Sequence, residues 1–229
     1  NTCLVAANTA YLAAFRRMDV TMGTTYREIL LTAAQNGLIE LGDETADDWC
    51  SRMQTRIRAD VIDPVVVQFR GGNWVRLIDR RARDGDMVSL ALNITEEMRI
   101  WAAIEAIPDG FVLFDREDRL MTCNQRYRDL YPESAPAMTA GASYESILRY
   151  GLERGQYADA VGKEEEWVAE RLARRSHKSD KFEQGLAGGR WLRVIEQETP
   201  DGGRVGLRVD ITKEREQQAA LEAARLQAE

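Results

Sequence analysis

The sequence repeats itself once. GNWVRL at 72–77 returns as GRWLRV at 189–194, a shift of 117 residues. Held at that shift, 72–97 aligns with 189–214 without a gap, and 11 of 26 positions are identical, among them Trp74/Trp191, Arg76/Arg193, Asp84/Asp201 and Ile94-Thr95/Ile211-Thr212. Earlier landmarks follow closely. Asn8 and Tyr11 meet Asn124 and Tyr127 at a shift of 116, and Gly23, Tyr26, Ile29, Gly37 and Trp49 meet Gly141, Tyr144, Ile147, Gly155 and Trp167 at 118. Small loop insertions produce such drift, because loops tolerate length changes that strands and helices do not. With two copies, each holding strands and helices of its own, this is a domain duplication rather than a stacked array. The 229 residues suit two domains of this size.

One copy can be read from local chemistry. GFVLFD at 110–115 and RLMTC at 119–123 are short apolar runs around a polar turn, a hairpin of buried strands. Asn124, and Asn8 in the first copy, suit a helix N-cap. Pro132 and Pro136 stop the short helix that follows. Tyr144, Ile147, Leu148 and Gly151 share one face of a second helix from Ser143, and Gly155 fits its C-terminal end. A third helix spans about 162–175, acidic at its start and basic at its end. Strands at about 181–187, 190–198 and 203–210 then form a meander joined by Gly-rich turns. The expected class is α+β: in each copy a mainly five-stranded antiparallel sheet with helices on one face. The first copy begins at the equivalent of about residue 117, so it is expected to lack the first strand.

This order, the Asn after the second strand, and the close on Asp210-Ile211-Thr212 before a charged helix resemble a PAS domain. The second copy is similar over nearly its whole length to PAS domains upstream of alphaproteobacterial sensor histidine kinases. The resemblance implies a sensory or dimerising module that passes its state through the terminal helix. The expected division is 1–95 for a first PAS domain, 96–107 for a connector helix, 108–212 for a second PAS domain, and 213–229 for the start of a signalling helix. The first copy departs from the pattern by closing on Asn93-Ile94-Thr95, which keeps a polar side chain and drops the charge.

Thr95 and Thr212 stand where helix N-caps belong. Asn93, Thr95, Asp210 and Thr212 are therefore the candidate signal junctions. Ile100, Ile104 and Ile107 form a stripe expected to cover the open face of a neighbouring sheet, to belong to a rigid rod coupling the two domains, or to do both. The segment 213–229 is rich in helix formers, with Leu221 and Leu226 its large apolar residues. So short a helix is marginal alone. It reads as one strand of a coiled coil, and a homodimer through the connector and C-terminal helices is expected.

Strand parity sorts the remaining candidates, since residues two apart share a face. The resemblance to flavin-binding PAS domains implies that Leu192 and Val194 face the ligand cavity. Parity then adds Val112, Phe114 and Arg208, and the helix face adds Tyr144 and Leu148. The opposite face, expected to pack on helices or a second subunit, carries Trp74, Trp191, Val205, Leu207 and Val209. A buried arginine needs a partner. Arg208 is expected to pair with a core acid, to snorkel outward, or to meet an anionic ligand. Its first-copy equivalent is Ala91.

Catalytic chemistry finds no support. His177, the single histidine, lies in the polar run RRSHKSDK and reads as solvated. The reactive-cysteine motif of flavin photosensors is missing, and Cys50 reads as inert. The three cysteines have neither disulfide nor zinc spacing. The Gly pairs at 71–72 and 188–189 lie between strands and read as turns, and Glu164, Glu165 and Glu166 read as a helix start. No cofactor and no catalytic residue are expected, and an unidentified small-molecule ligand is left open. The net charge is −7 with interleaved signs and no basic stripe, which argues against nucleic acid. No apolar run reaches a membrane span and no signal peptide is read, so no membrane contact by this stretch is expected; the cysteine spacing fits a reducing cytoplasm, with a membrane anchor elsewhere in the parent protein left open. The leading functional reading is the input module of a histidine kinase. A cyclic-dinucleotide cyclase as output, or a ligand-free dimerisation scaffold, are the alternatives.

Overall fold

A computed structural model describes residues 2–16 and 18–228, side chains at 227 and 228 excepted; residue 229, the last position of the expected terminal helix, lies outside them. The chain divides into two compact units, residues 1–101 and 102–229.

The first unit holds α1 (Thr9–Ala14), α2 (Tyr26–Gln35), α3 (Ala46–Arg56), β1 (Val65–Phe69), β2 (Asn73–Arg81) and β3 (Met87–Asn93). Each helix starts on a side-chain cap. Asn8 accepts from the Tyr11 amide, Thr25 and Glu28 form a reciprocal capping box, and Thr45 accepts from the Asp48 amide. Its sheet has three antiparallel strands in the order β1-β2-β3. Four were expected, so the segment before Asn8 corrects that reading. A strand needs a hydrogen-bonding neighbour, and among the described residues no strand pairs with this segment. Only an isolated bridge, Cys3 to Thr25, remains where the second unit bridges Arg119 to Ser143. The outward face of this sheet keeps Val66, Val88, Leu90 and Leu92 exposed.

α4 (Thr95–Glu105) follows β3 directly. Ile100 is 63% exposed. The expectation that its stripe covers a sheet face fails there, and Ile104 and Ile107 are only half-buried. The spacing put these residues on one helix face; it did not say what that face meets.

The second unit contains β4 (Gly110–Phe114), β5 (Leu120–Cys123), α5 (Gln125–Leu130), α6 (Tyr144–Leu152), α7 (Glu164–Arg174), β6 (Ser179–Gly185), β7 (Trp191–Glu198), β8 (Arg204–Asp210) and α8 (Thr212–Ala228). Its five strands are all antiparallel, in the order β5-β4-β8-β7-β6. α6 ends where Gly155, at φ +71°, lets the Gly155 and Gln156 amides turn back onto the carbonyls of Leu152 and Gly151. Gly37 closes α2 in the same way on Ala34 and Ala33. Alternation along β4, β7 and β8 puts Val112, Phe114, Leu192 and Val194 in the core, each at most 1% exposed. Val205, Leu207 and Val209 lie half-buried on the opposite face.

Asn124 ties the start of the second unit together. Its Oδ1 accepts from the amides of Phe111 and Tyr127, and its Nδ2 donates to the carbonyls of Ile104 and Asp109. One fully buried side chain thus caps α5, pins β4 and holds the end of α4, with all its hydrogen-bonding capacity used.

Candidate functional site

The core of the second unit is polar at its centre. β8 runs beside β7 with Val194 opposite Arg208 and Glu196 opposite Gly206. Arg208 therefore reaches diagonally to Glu196, and Gly206 keeps the path clear: a Cβ there would come within 2.7 Å of the guanidinium. Arg208 donates to Glu196 at 2.7 Å, to the Tyr131 hydroxyl at 3.2 Å and to the Leu207 carbonyl at 3.1 Å. Arg175, just past α7, donates to the other oxygen of Glu196 at 3.1 Å and also pairs with Asp118. Of the three expectations for Arg208, the core acid is the one the geometry fills. Glu196 itself went unread in the sequence.

Burial alone would push the Glu196 carboxyl up, but Arg208 and Arg175 outweigh it and hold it below its ordinary value of 4.5. Burial opposes the charge on Arg208 too, yet it is held well above its ordinary value. Glu196 is the partner that matters at neutral pH. The surrounding phenols are themselves pushed up by burial, Tyr144 to about 12, so they are uncharged there.

Beside this cluster lies a cavity of about 10 Å3. Tyr144, Leu148 and Arg208, expected at a pocket, do line it. Val112, Phe114, Leu192 and Val194 sit in the packed core and do not. Tyr127, Tyr131, Tyr157, Arg171, Phe182 and Gln184 line it and were not foreseen. Gln184 accepts from the Tyr131 hydroxyl at 2.9 Å, and Tyr157 stacks on Trp167 at 4.6 Å between centroids. Pairing two strands by sequence cannot show which helix residues close over them. The one available signal was Arg171, a charge on the same helical face as the buried Trp167 and Val168. At 10 Å3 the space suits about one water molecule.

The junction between β8 and α8 is built of side chains. The Asp210 carboxylate accepts from the Thr212 amide at 3.1 Å and hydroxyl at 2.6 Å. The Thr212 hydroxyl in turn accepts from the Trp191 amide at 3.0 Å. The first unit repeats the device. Asn93 accepts from the Thr95 amide at 3.0 Å and hydroxyl at 2.6 Å, and Thr95 accepts from the Trp74 amide at 2.9 Å. This corrects the capping expectation. Thr95 and Thr212 are the first residues of their helices, and their hydroxyls face back to the sheet instead of onto the helix's own amides. α8 then leaves along the outer face of the sheet. Arg215 stacks 3.8 Å above the Trp191 ring and pairs with Glu183, while Arg193 pairs with Glu183 and Glu214. Trp191 is thus on the outward side, as is half-buried Trp74 in its own unit.

The chemistry elsewhere is sparse. Cys50 and Cys123 are buried, with burial pushing both thiols up. Among the described residues no group of three or more His, Cys, Asp or Glu side chains could hold a metal ion, and no helix is long and apolar enough to cross a membrane.

A family described as PAS fold matches residues 104–219, just over half of the chain. The chain belongs to the PAS family. Over 145 residues, 58% of its length, it is 27% identical to the Non-motile and phage-resistance protein of Caulobacter vibrioides. This chain spans only 16% of that relative's length. Among solved structures, a domain of a sensory box sensor histidine kinase/response regulator from Geobacter sulfurreducens is 19% identical, with a TM-score of 0.33, covering 51% of this chain and 95% of that one. The PAS domain of Bordetella pertussis BvgS is 20% identical with a TM-score of 0.33, covering 58% and 98%. The chain contains a PAS domain with a filled, partly charged core and a side-chain-bonded junction to the helix that follows it.

Proposed function

We propose that this chain is a tandem PAS input module, of the kind found upstream of alphaproteobacterial sensor histidine kinases. It passes the state of the second domain's core through the helix after Asp210-Ile211-Thr212. The carrying observation is the junction. Three side-chain hydrogen bonds lock the first turn of α8 to both β7 and β8, so a shift between those strands must move the helix. The tandem reading rests on the sequence repeat and on the same three bonds at Asn93, Thr95 and Trp74. In this reading α4 and α8 are the dimer-forming helices, their exposed Ile100, Leu221 and Leu226 await a second subunit, and the module works in the cytoplasm.

The test is Thr212→Ala and Asp210→Ala in the chain with its output domain attached. Both should change kinase output and its response to stimulus while the domain's melting temperature changes little. Unchanged output in both would make the junction a plain linker. The nearly filled cavity favours one second reading, a ligand-free dimerisation scaffold. That reading gains if the variants leave output unchanged while light scattering still finds a dimer.

A further inference from the structure

The second unit's exit is held at two levels that differ in chemistry. The junction itself is a set of hydrogen bonds among Asp210, Thr212 and the Trp191 amide. Just beyond it, α8 is held by charge. The Arg215 guanidinium lies 3.8 Å above the Trp191 ring and 3.1 Å from Glu183 on β6. Arg193 on β7 reaches Glu183 at 3.5 Å and Glu214 at 3.2 Å. Two cations and two carboxylates thus alternate across β6, β7 and α8. Their side chains are 27–61% exposed, whereas those of Glu196 and Arg208 in the core are 3% exposed. A groove lined by these four residues and by Gln218, Ala219 and Glu222 brings water and salt up to them. No described side chain of α8 beyond Thr212 is buried, so apolar packing does not back the charges up.

The first unit repeats the junction and lacks this second level. Trp74, Arg76 and Glu97 keep three of the parts. Val66, however, stands opposite Arg76 where Glu183 stands opposite Arg193, and Met98 takes the place of Arg215. Arg76 and Glu97 make no ion pair among the described residues. The acid on the strand and the base on the helix are therefore present together in one unit and absent together in the other.

We propose that Glu183, Arg193, Glu214 and Arg215 form a clasp on α8 whose hold depends on ionic strength, with Arg215 as its positioning residue, and that the first exit has no such control. Exposed contact pairs weaken as salt shortens the screening length from about 10 Å at 0.1 M to about 3 Å at 1 M. The hydrogen bonds of Thr212 come from neutral donors and respond far less. Salt therefore keeps the helix start in place and frees the turns after it, which are marginal as an unattached helix. The inference rests on the reading of α8 as the exit and adds a regulation of its hold.

The test is hydrogen exchange of the whole chain at pH 7 in 0.1 and 1 M NaCl, followed over residues 216–220 of α8, with α4 and α7 as internal controls. Protection over 216–220 should fall about 3- to 10-fold at the higher salt, while the controls change less than about 2-fold. Arg215→Met copies Met98 and Glu183→Val copies Val66. Each should show in 0.1 M salt the lower protection that the unaltered chain shows in 1 M, and should lose most of the salt response. Arg225→Gln removes a charge from α8 outside the clasp and should keep that response. Protection that ignores salt in the unaltered chain, an equal fall in α4, or a full salt response in both clasp variants would each overturn the clasp. With the output domain attached, output should shift with salt and stop doing so in Arg215→Met. Output that responds to Thr212→Ala yet keeps its salt dependence in Arg215→Met would overturn the clasp and leave the sensory reading standing.

Discussion

The two units share a meander and diverge in what fills it. Both have a carboxylate on the second strand of that meander, Asp79 and Glu196, at the same register and both buried. Both pair it with an arginine at the end of the preceding helix, Arg56 in one and Arg175 in the other. Around that common pair the first unit is apolar or small. Met53, Val67 and Ala91 stand where the second unit has Arg171, Gln184 and Arg208. Asp79 completes its bonding with Ser89 instead of a second arginine. Each unit thus has a buried carboxylate paired with an arginine, and the second unit adds a polar layer around it. That surplus, which the first unit omits, is what the proposed sensory reading would draw on.

The sharpest way to break this comparison is to remove the shared acid. Glu196→Ala leaves buried Arg208 without an acid and buried Arg175 with Asp118 alone, and losing one side of a buried pair costs about 3–5 kcal/mol. Asp79→Ala should cost less, because it strands only Arg56, whose side chain is 14% exposed. Urea unfolding followed at both units should show the second unit's transition moving more. Equal shifts would mean that the extra arginine contributes nothing to the second core.

Acid gives the same contrast without mutation. Glu196 is held below 4.5 in the folded chain, so its stabilising contribution is complete above 4.5 and drains away as pH falls through the lowered folded value. The second unit's melting temperature should decline below pH 4.5, and Glu196→Gln should flatten that part of the profile. A decline unchanged in the variant would assign acid sensitivity to other carboxylates.

Much of this fold was legible, and the reasons are local. Asn8 and Asn124 announced helix starts because a short acceptor before a helical run has one cheap use. The resemblance to flavin-binding PAS domains put Leu192 and Val194 inward, because both faces of their strand carry apolar residues, and strand parity then carried Val112 and Phe114 to the same side. Glu196 escaped because EQE at 196–198 looks like solvated strand polarity; only the diagonal to Arg208 shows its purpose, and that needs the register. Arg171 escaped because helix spacing names a face without naming what lies opposite. The strand count of the first unit was misjudged by one, since among the described residues no strand pairs with those near Cys3.

A smaller effect is expected from Arg171→Met. The substitution copies Met53, removes an unpaired buried charge and loses two ring contacts. Cation–π contacts of this kind are worth ~0.5–2 kcal/mol, while the relieved desolvation is of similar size or larger. The melting temperature should stay level or rise by a few degrees. A clear fall would show that Arg171 is a structural strut and that Met53 is no guide to it.

The finest comparison is between the two exits, Asn93-Ile94-Thr95 and Asp210-Ile211-Thr212. Their hydrogen bonds match to within about 0.1 Å, so neutral chemistry should be equal at both. Thr95→Ala and Thr212→Ala each leave a strand amide without its acceptor, and a hydrogen bond of this kind is worth ~0.5–1.5 kcal/mol net. Thr95 is buried and Thr212 only half-buried, so water can replace the lost bond more easily at Thr212 and the cost there should be the lower of the two. The charge then separates them. Burial would push the Asp210 carboxyl up, but its bonds from Thr212 and the nearby Arg190 hold it below its ordinary 3.8. Its contribution is therefore present above 3.8 and lost as pH drops through the lowered value, whereas Asn93 has nothing to titrate. Amide protection factors across the first turn of α8 should drop on acidification below 3.8 while those of α4 stay flat. Asp210→Asn should abolish the difference and leave exchange at neutral pH nearly unchanged. If α8 loosens equally in that variant, the lost charge belongs elsewhere, and the two exits are interchangeable.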